Sequence, residues 1–183
     1  ELIYLAPIDH DKDPAVMAAW TEEATYLRLL VADPARPLSV EQLKKQHVAI
    51  EKRVEEGKNE FYYTIRLRAD DRLVGFVRLY WISWTSGTAH LQIGIGDPQS
   101  RRQGYGREAL DLMIRYAFDE LNLHRLAAEV PEYNQAAFRL FEQAGFAVEV
   151  RRRQALQRDG QIWDLLHLGL LADEWRAMRQ EEA

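Results

Sequence analysis

Hydrophobic and polar positions change their period along the chain, and each change predicts an element. "LIYLAPI" near the start is a short apolar run that reads as a first strand. "DPAVMAAWTEEATYLRLL" predicts one helix, with Asp13 as its N-cap and Pro14 at the first helical position. A second helix follows over "SVEQLKKQHVAIEKRVEEG", where Ser39 and Gln42 form a capping box and Gly57 is the stop. From Phe61 to Gly96 the period falls to two, which predicts the meander "FYYTIRLR", "LVGFVRLYWISW" and "TAHLQIGIG", joined by the turns "ADDR" and "TSG". Helical spacing returns in "GYGREALDLMIRYAFDEL", with Leu110, Ile114, Ala117 and Leu121 on one stripe. The strand "RLAAEV" comes next, and then Asn134 caps the helix "QAAFRLFEQA", which ends at Gly145. "FAVEVRRRQALQ" and "IWDLLHLGLL" close the pattern as a hairpin about Asp159-Gly160, and the final "RQEEA" reads as a frayed end. The order β-α-α-β-β-β-α-β-α-β-β predicts a mixed α/β fold, helices packed on a largely antiparallel sheet, in a single domain spanning residues 1–183.

Composition narrows the chemistry. At 183 residues and 47% hydrophobic content the chain can bury a core without a staple. It has no cysteine, which removes disulfides, thiolate zinc sites and a cysteine nucleophile. No run approaches the roughly 18 apolar residues of a membrane span, and the first residues lack the basic start and apolar centre of a leader. The expectation is a soluble, cytoplasmic protein. A net charge of −5 argues against a nucleic-acid partner and is compatible with a cationic substrate.

The segment "GDPQSRRQGYGREAL" poses the main question, because glycine costs a helix about 1 kcal/mol relative to alanine, yet Gly104 and Gly106 stand at a helix start. The first N–H groups of a helix lack partners and sit at the positive end of its dipole. Glycines there let an anion come close. The amides from Arg102 to Arg107 are candidates to wrap a pyrophosphate, with Arg101, Arg102 and Arg107 adding charge; the alternative is a glycine-rich surface turn with solvated arginines. Neither the P-loop pattern nor the dinucleotide fingerprint is present, since Gly94 and Gly96 are followed by Asp97-Pro98-Gln99. Gly94 and Gly96 weaken their strand and mark either a bulge or a close backbone approach.

"RRQGYGREAL", preceded by "LQIGIGD" and followed about thirty residues on by "NQAAFRLFEQAGF", resembles the GNAT superfamily of N-acetyltransferases. The likeness covers about residues 61 to 171, and more loosely the two N-terminal helices. Its diagnostic element R/Q-x-x-G-x-G/A is matched by Arg101, Gly104 and Gly106, and in wording and length the chain is most similar to the branch of ribosomal-protein alanine and spermidine acetyltransferases. The resemblance implies acetyl-CoA as cosubstrate, with its pyrophosphate on Arg102, Gln103, Gly104, Tyr105, Gly106 and Arg107 and its pantetheine arm along Gly94, Ile95 and Gly96. It assigns a cofactor contact to Asn134 besides helix capping, and it suggests a homodimer.

Acetyl transfer to an amine needs a base, because an ammonium has no lone pair with which to attack. Alternation in "RLAAEV" puts Leu126, Ala128 and Val130 on one face and Glu129 with Ala127 on the other. Glu129 lies five residues before Asn134, where the ribosomal-protein branch carries its glutamate base; the alternative is a solvated or ion-paired strand glutamate. Where many relatives have a tyrosine that protonates the departing thiolate, this chain has Phe141, which has no proton to give. The five histidines, at 10, 47, 90, 124 and 167, have no metal-binding spacing, and His90 reads as structural. Arg151, Arg152 and Arg153 read as a solvated run, and Trp81, Trp84, Tyr62 and Tyr63 as sheet aromatics. Two rival readings stay open: an acyl-CoA sensor without turnover, and a transferase using another acyl-CoA.

Overall fold

Each stretch of period two becomes a strand in the computed structural model, which describes residues 1–30 and 35–181. The strands are β1 (Ile3–Ala6), β2 (Phe61–Leu67), β3 (Leu73–Ser83), β4 (Thr88–Ile95), β5 (Arg125–Pro131), β6 (Ala147–Arg158) and β7 (Gln161–Leu171). They form a seven-stranded sheet in the order β1-β2-β3-β4-β5-β7-β6. Pairing is antiparallel for β1 with β2, β2 with β3, β5 with β7 and β6 with β7, and parallel for β4 with β5. The helices are α1 (Asp13–Thr21), α2 (Ala24–Leu29), α3 (Val40–Lys52), α4 (Tyr105–Arg115), α5 (Gln135–Gln143) and α6 (Ala172–Glu181). The mixed α/β class stands, and the order gains two helices. Contacts divide the chain into two units, Glu1–Leu79 with Ile93–Ala109, and Tyr80–Gln92 with Leu110–Ala183.

In the first unit the predicted N-terminal helix is two helices. Thr21 ends α1, where its hydroxyl donates to the Ala18 carbonyl at 2.7 Å and accepts from Leu38 N–H at 2.8 Å. A hydroxyl that bonds back to the preceding turn competes with helix continuation, and Glu23 is extended before α2 begins. Asp13 is not the N-cap: Lys12 holds that position, and Asp13 is the first helical residue. Its buried carboxylate accepts from Asp9 N–H at 2.8 Å and pairs with the Arg66 guanidinium at 2.6 Å. A buried charge has to be paired, so this carboxylate serves Arg66 while Asp9 takes the Asp11 and Lys12 amides. The α3 capping box is present with both reciprocal bonds, and the helix runs through a π-helical turn to Gly57. Met17, Trp20, Tyr26, Leu27, Leu43, Leu73 and Phe76 are the main members of this unit's core.

In the second unit Leu126, Ala128 and Val130 are buried on one face of β5, as the alternation predicts. The helical stripe holds at Leu110, Ile114 and Ala117 but not at Leu121, which is half-buried. A π-helical turn at Tyr116–Glu120 widens the helix and rotates the stripe. Asp159 and Gly160 both have positive φ, 53° and 71°, as a tight hairpin turn requires. Instead of a frayed end, the chain forms α6, with residues 182–183 outside the described part. Trp175 rests on Phe118 at 5.5 Å, and the Arg179 guanidinium lies 4.8 Å from the Trp175 ring centre. Packing of this kind stabilises a helix that propensity alone does not secure.

Candidate active site

The turn before α4 is built by side chains that look back along the chain. Asp97 accepts from Gln99 N–H at 3.0 Å and Ser100 Oγ at 2.7 Å, and it pairs with Arg72 at 2.9 Å. Burial works to raise the Asp97 pKa, but these partners together hold it below the usual carboxylate range. Arg101 is not a phosphate charge held in reserve. Its guanidinium donates to the Ile95 carbonyl at 3.2 Å and the Gly96 carbonyl at 2.9 Å, and it pairs with Glu23 at 2.8 Å. The arginine of the diagnostic element is therefore a clamp between the end of β4 and the start of α2.

Beyond the clamp the backbone turns into the left-handed region at Arg102 (φ 61°) and Gly104 (φ 88°). The first helical bond runs from Glu108 N–H to the Gly104 carbonyl at 3.1 Å. The N–H groups of Arg102, Gln103, Gly104, Tyr105 and Gly106 donate to no acceptor among the described residues. Nothing lies within 4 Å of the place a Cβ on Gly104 would take. Successive amides without protein partners at a helix start, arched by left-handed residues, make a concave donor array of the kind that receives an anion.

The end of β4 is different. A Cβ on Gly96 would stand 1.9 Å from the Trp20 indole, and one on Gly94 would stand 2.8 Å from the Phe76 ring and 3.0 Å from Leu30. The close approach that these glycines allow is that of the protein's own side chains. Gly96 N–H donates to the Val74 carbonyl at 2.9 Å. Residues two apart in a strand turn their main-chain groups to the same side, so Gly94 faces β3 with Gly96, and Ile95 faces the other way.

The second unit carries Glu129 and Asn134. Glu129, half-buried, sits directly across the β5–β7 rung from His167, with Oε1 3.5 Å from Nδ1. His90 on β4 pairs with Ala127. Its ring lies 5.5 Å from that of Tyr80 and 5.1 Å from that of Trp81. Burial pushes the His90 pKa down, against the pull of the Glu129 charge. Asn134 caps α5, its Oδ1 accepting Ala137 N–H at 3.2 Å. Phe141 is buried against Phe146, centroids 5.0 Å apart. Arg151 is not simply solvated, since it pairs with Glu132 at 2.7 Å and Asp164 at 2.8 Å. His167 was missed by sequence reasoning, because its relation to Glu129 depends on strand pairing between segments far apart in the chain.

Comparison with known proteins adds four findings. Residues 3–147 match the family described as acetyltransferase (GNAT) domain. The chain is 33% identical over 127 residues to the probable N-acetyltransferase YjcK of Bacillus subtilis (strain 168), covering 69% of this chain and 68% of that one. It is 28% identical over 107 residues to the spermidine N(1)-acetyltransferase of Vibrio cholerae, covering 58% of this chain and 61% of that one. Among solved structures, that of spermidine N-acetyltransferase from Vibrio cholerae in complex with CoA and spermine superposes with a TM-score of 0.82 at 20% identity, covering 96% of this chain and 98% of the other. That likeness is one of fold.

Proposed function

Because the chain belongs to the GNAT acetyltransferase family, we propose that it is a single-domain N-acetyltransferase over residues 1–183, moving the acetyl group of acetyl-CoA directly to a primary amine. The observation that carries this reading is the run of unpartnered amides from Arg102 to Gly106 under the left-handed Gly104. In this reading those amides, with Arg107, hold the pyrophosphate, and the helix dipole adds to their attraction. The pantetheine arm follows the end of β4 through the Ile95 main chain, since the Gly96 amide already serves Val74. Asn134 contacts the cofactor chain while capping α5. Glu129 takes the proton that the ammonium must lose before its nitrogen can attack.

With no cysteine in the chain, a covalent acyl-cysteine is excluded, and direct transfer is the simpler route. Holding amine and thioester together supplies much of the rate, up to about 7 to 11 kcal/mol in favourable cases. The similarity to spermidine acetyltransferases puts polyamines first among acceptors and peptide N-termini second. The test is release of free CoA thiol from acetyl-CoA across a panel of spermidine, spermine, alanyl peptides and aminoglycosides. The expected outcome is turnover with at least one polyamine. Failure of CoA to raise the melting temperature would overturn the cofactor assignment.

A specific observation favours a second reading, a CoA-binding domain without turnover: Phe141 is buried on Phe146, where many relatives place a tyrosine. Stabilisation by acetyl-CoA with no thiol released by any amine would select it.

A further inference from the structure

Seven successive residue pairs join β5 to β7, from Arg125 opposite Leu171 to Pro131 opposite Leu165. Side chains on one face of a strand recur every two residues, so Arg125, Ala127 and Glu129 share a face with their partners Leu171, Gly169 and His167. His90, paired with Ala127, belongs to the same face from β4. Two carboxylates, two imidazoles and one guanidinium therefore meet on one side of this part of the sheet, and their partners divide them.

Arg125 is committed to Glu149, with two hydrogen bonds between the guanidinium and the carboxylate. That pair holds the Glu149 pKa below the usual carboxylate range. The Glu149 carboxylate lies over Gly169, where a Cβ would come within 2.3 Å of it. Burial pushes the His90 pKa down, and its Nδ1 has no hydrogen-bond partner among the described residues. Val150 stands opposite His167 on β6 and brings no charge. Among the described residues Glu129 has one ion-pair partner, the His167 imidazole at 3.5 Å, whose Nε2 is buried with no hydrogen-bond partner among them. Among the described residues no group of three or more His, Asp or Glu side chains is arranged to hold a metal ion.

We propose that His167 is a positioning residue for the base Glu129: it fixes the carboxylate across the β5–β7 rung and, by its own protonation, decides when that carboxylate is open to the substrate. The inference rests on the transferase reading above. When the imidazole is charged, the pair is an imidazolium–carboxylate couple and the Glu129 lone pairs are engaged. When it is neutral, Glu129 can take a proton from the substrate ammonium. The amine nitrogen then forms its bond to the acetyl carbon, the carbon–sulfur bond breaks with its electron pair leaving on sulfur, and the second proton that the nitrogen must shed to become an amide passes to the thiolate or to solvent. The proton held by Glu129 can be shared with the imidazole, leaving the pair with no net charge before it passes to solvent or to the thiolate.

The experiment compares the pH dependence of kcat/KM for the wild-type protein and His167→Asn, using the best amine from the panel. With the imidazole removed, the acid limb should move to lower pH. An acid limb unchanged in His167→Asn, with only KM or stability altered, overturns the proposal. A second measurement needs no turnover: the His167 ring resonances are followed by NMR against pH in the wild type and in Glu129→Gln. A titration midpoint that falls on removal of the carboxylate charge supports the pair, and an unmoved midpoint rejects it. A protein that shows this coupling but releases no thiol with any amine would overturn the transferase reading while the pair stands.

Discussion

Gly96 and Gly104 lie eight positions apart, and they are glycines for opposite reasons. At Gly96 the missing side chain is replaced by the Trp20 indole, 1.9 Å from where a Cβ would be, and the backbone amide is bonded to Val74. At Gly104 the surroundings are open for 4 Å, φ is 88°, and the amides on either side have no partner among the described residues. The first glycine completes a core and the second shapes a surface. A glycine beside an anion motif is therefore not itself a mark of ligand approach; what the absent Cβ would touch tells the two apart.

Substitution at the filled end should have the largest effect on the fold. Gly96→Ala forces the Trp20 ring to move within a packed cluster, and overpacking of this kind costs about 3 kcal/mol. Urea denaturation should show the loss, and a midpoint like that of the wild type would refute the filled reading. Gly104→Ala meets no atoms but holds alanine in the left-handed region, which costs about 1 to 2 kcal/mol. Its larger signature should be in ligand binding. CoA affinity measured by calorimetry should fall about tenfold, or about 1.4 kcal/mol, as the amide array loses its shape. If binding is undiminished, the array is not the pyrophosphate site.

Arg101→Lys sharpens the boundary between the two ends. A lysine lacks the planar fork that serves two carbonyls and Glu23 together, and the pair is partly exposed, so the expected loss of stability is about 1 kcal/mol. The salt dependence of CoA binding should stay as in the wild type, because this guanidinium faces Glu23 rather than the ligand; a reduced dependence would make it a phosphate contact after all. The smallest effect concerns pH. His47, buried in the same unit, has its pKa pushed down by burial and by the His10 charge, while Asp13 and Glu51 pull it upward. The unfolded chain then binds the proton first, so stability should fall as pH drops below about 6.5, the ordinary imidazole value. His47→Leu should flatten that slope in denaturation curves taken between pH 7 and pH 5.

Local pattern carried much of the architecture. The β2–β3–β4 meander, the α3 capping box, the buried stripe of β5 and the Asp159-Gly160 turn follow from neighbours a few residues apart, and the structure shows each of them. The family was legible in the same way, since Arg101, Gly104, Gly106 and Asn134 form a pattern in one dimension. The failures have a shared cause. The Thr21 hydroxyl that ends α1 also receives the distant Leu38 N–H, Asp13 turns to Arg66, and α6 forms because Trp175 finds Phe118. Each depends on a partner far away along the chain.

What the sequence determined by itself was the succession of strands and four of the helices, the absence of cysteine chemistry and the family, because periodicity, turn residues and composition act at short range. The tertiary structure alone decided which charges are engaged. It tied Arg101 to Glu23 and the β4 carbonyls, bound Arg125 to Glu149, and set His167 opposite Glu129. The physical reason is that an ion pair depends on distance in space, and strand pairing and helix docking fix that distance between segments whose spacing along the chain says nothing about it.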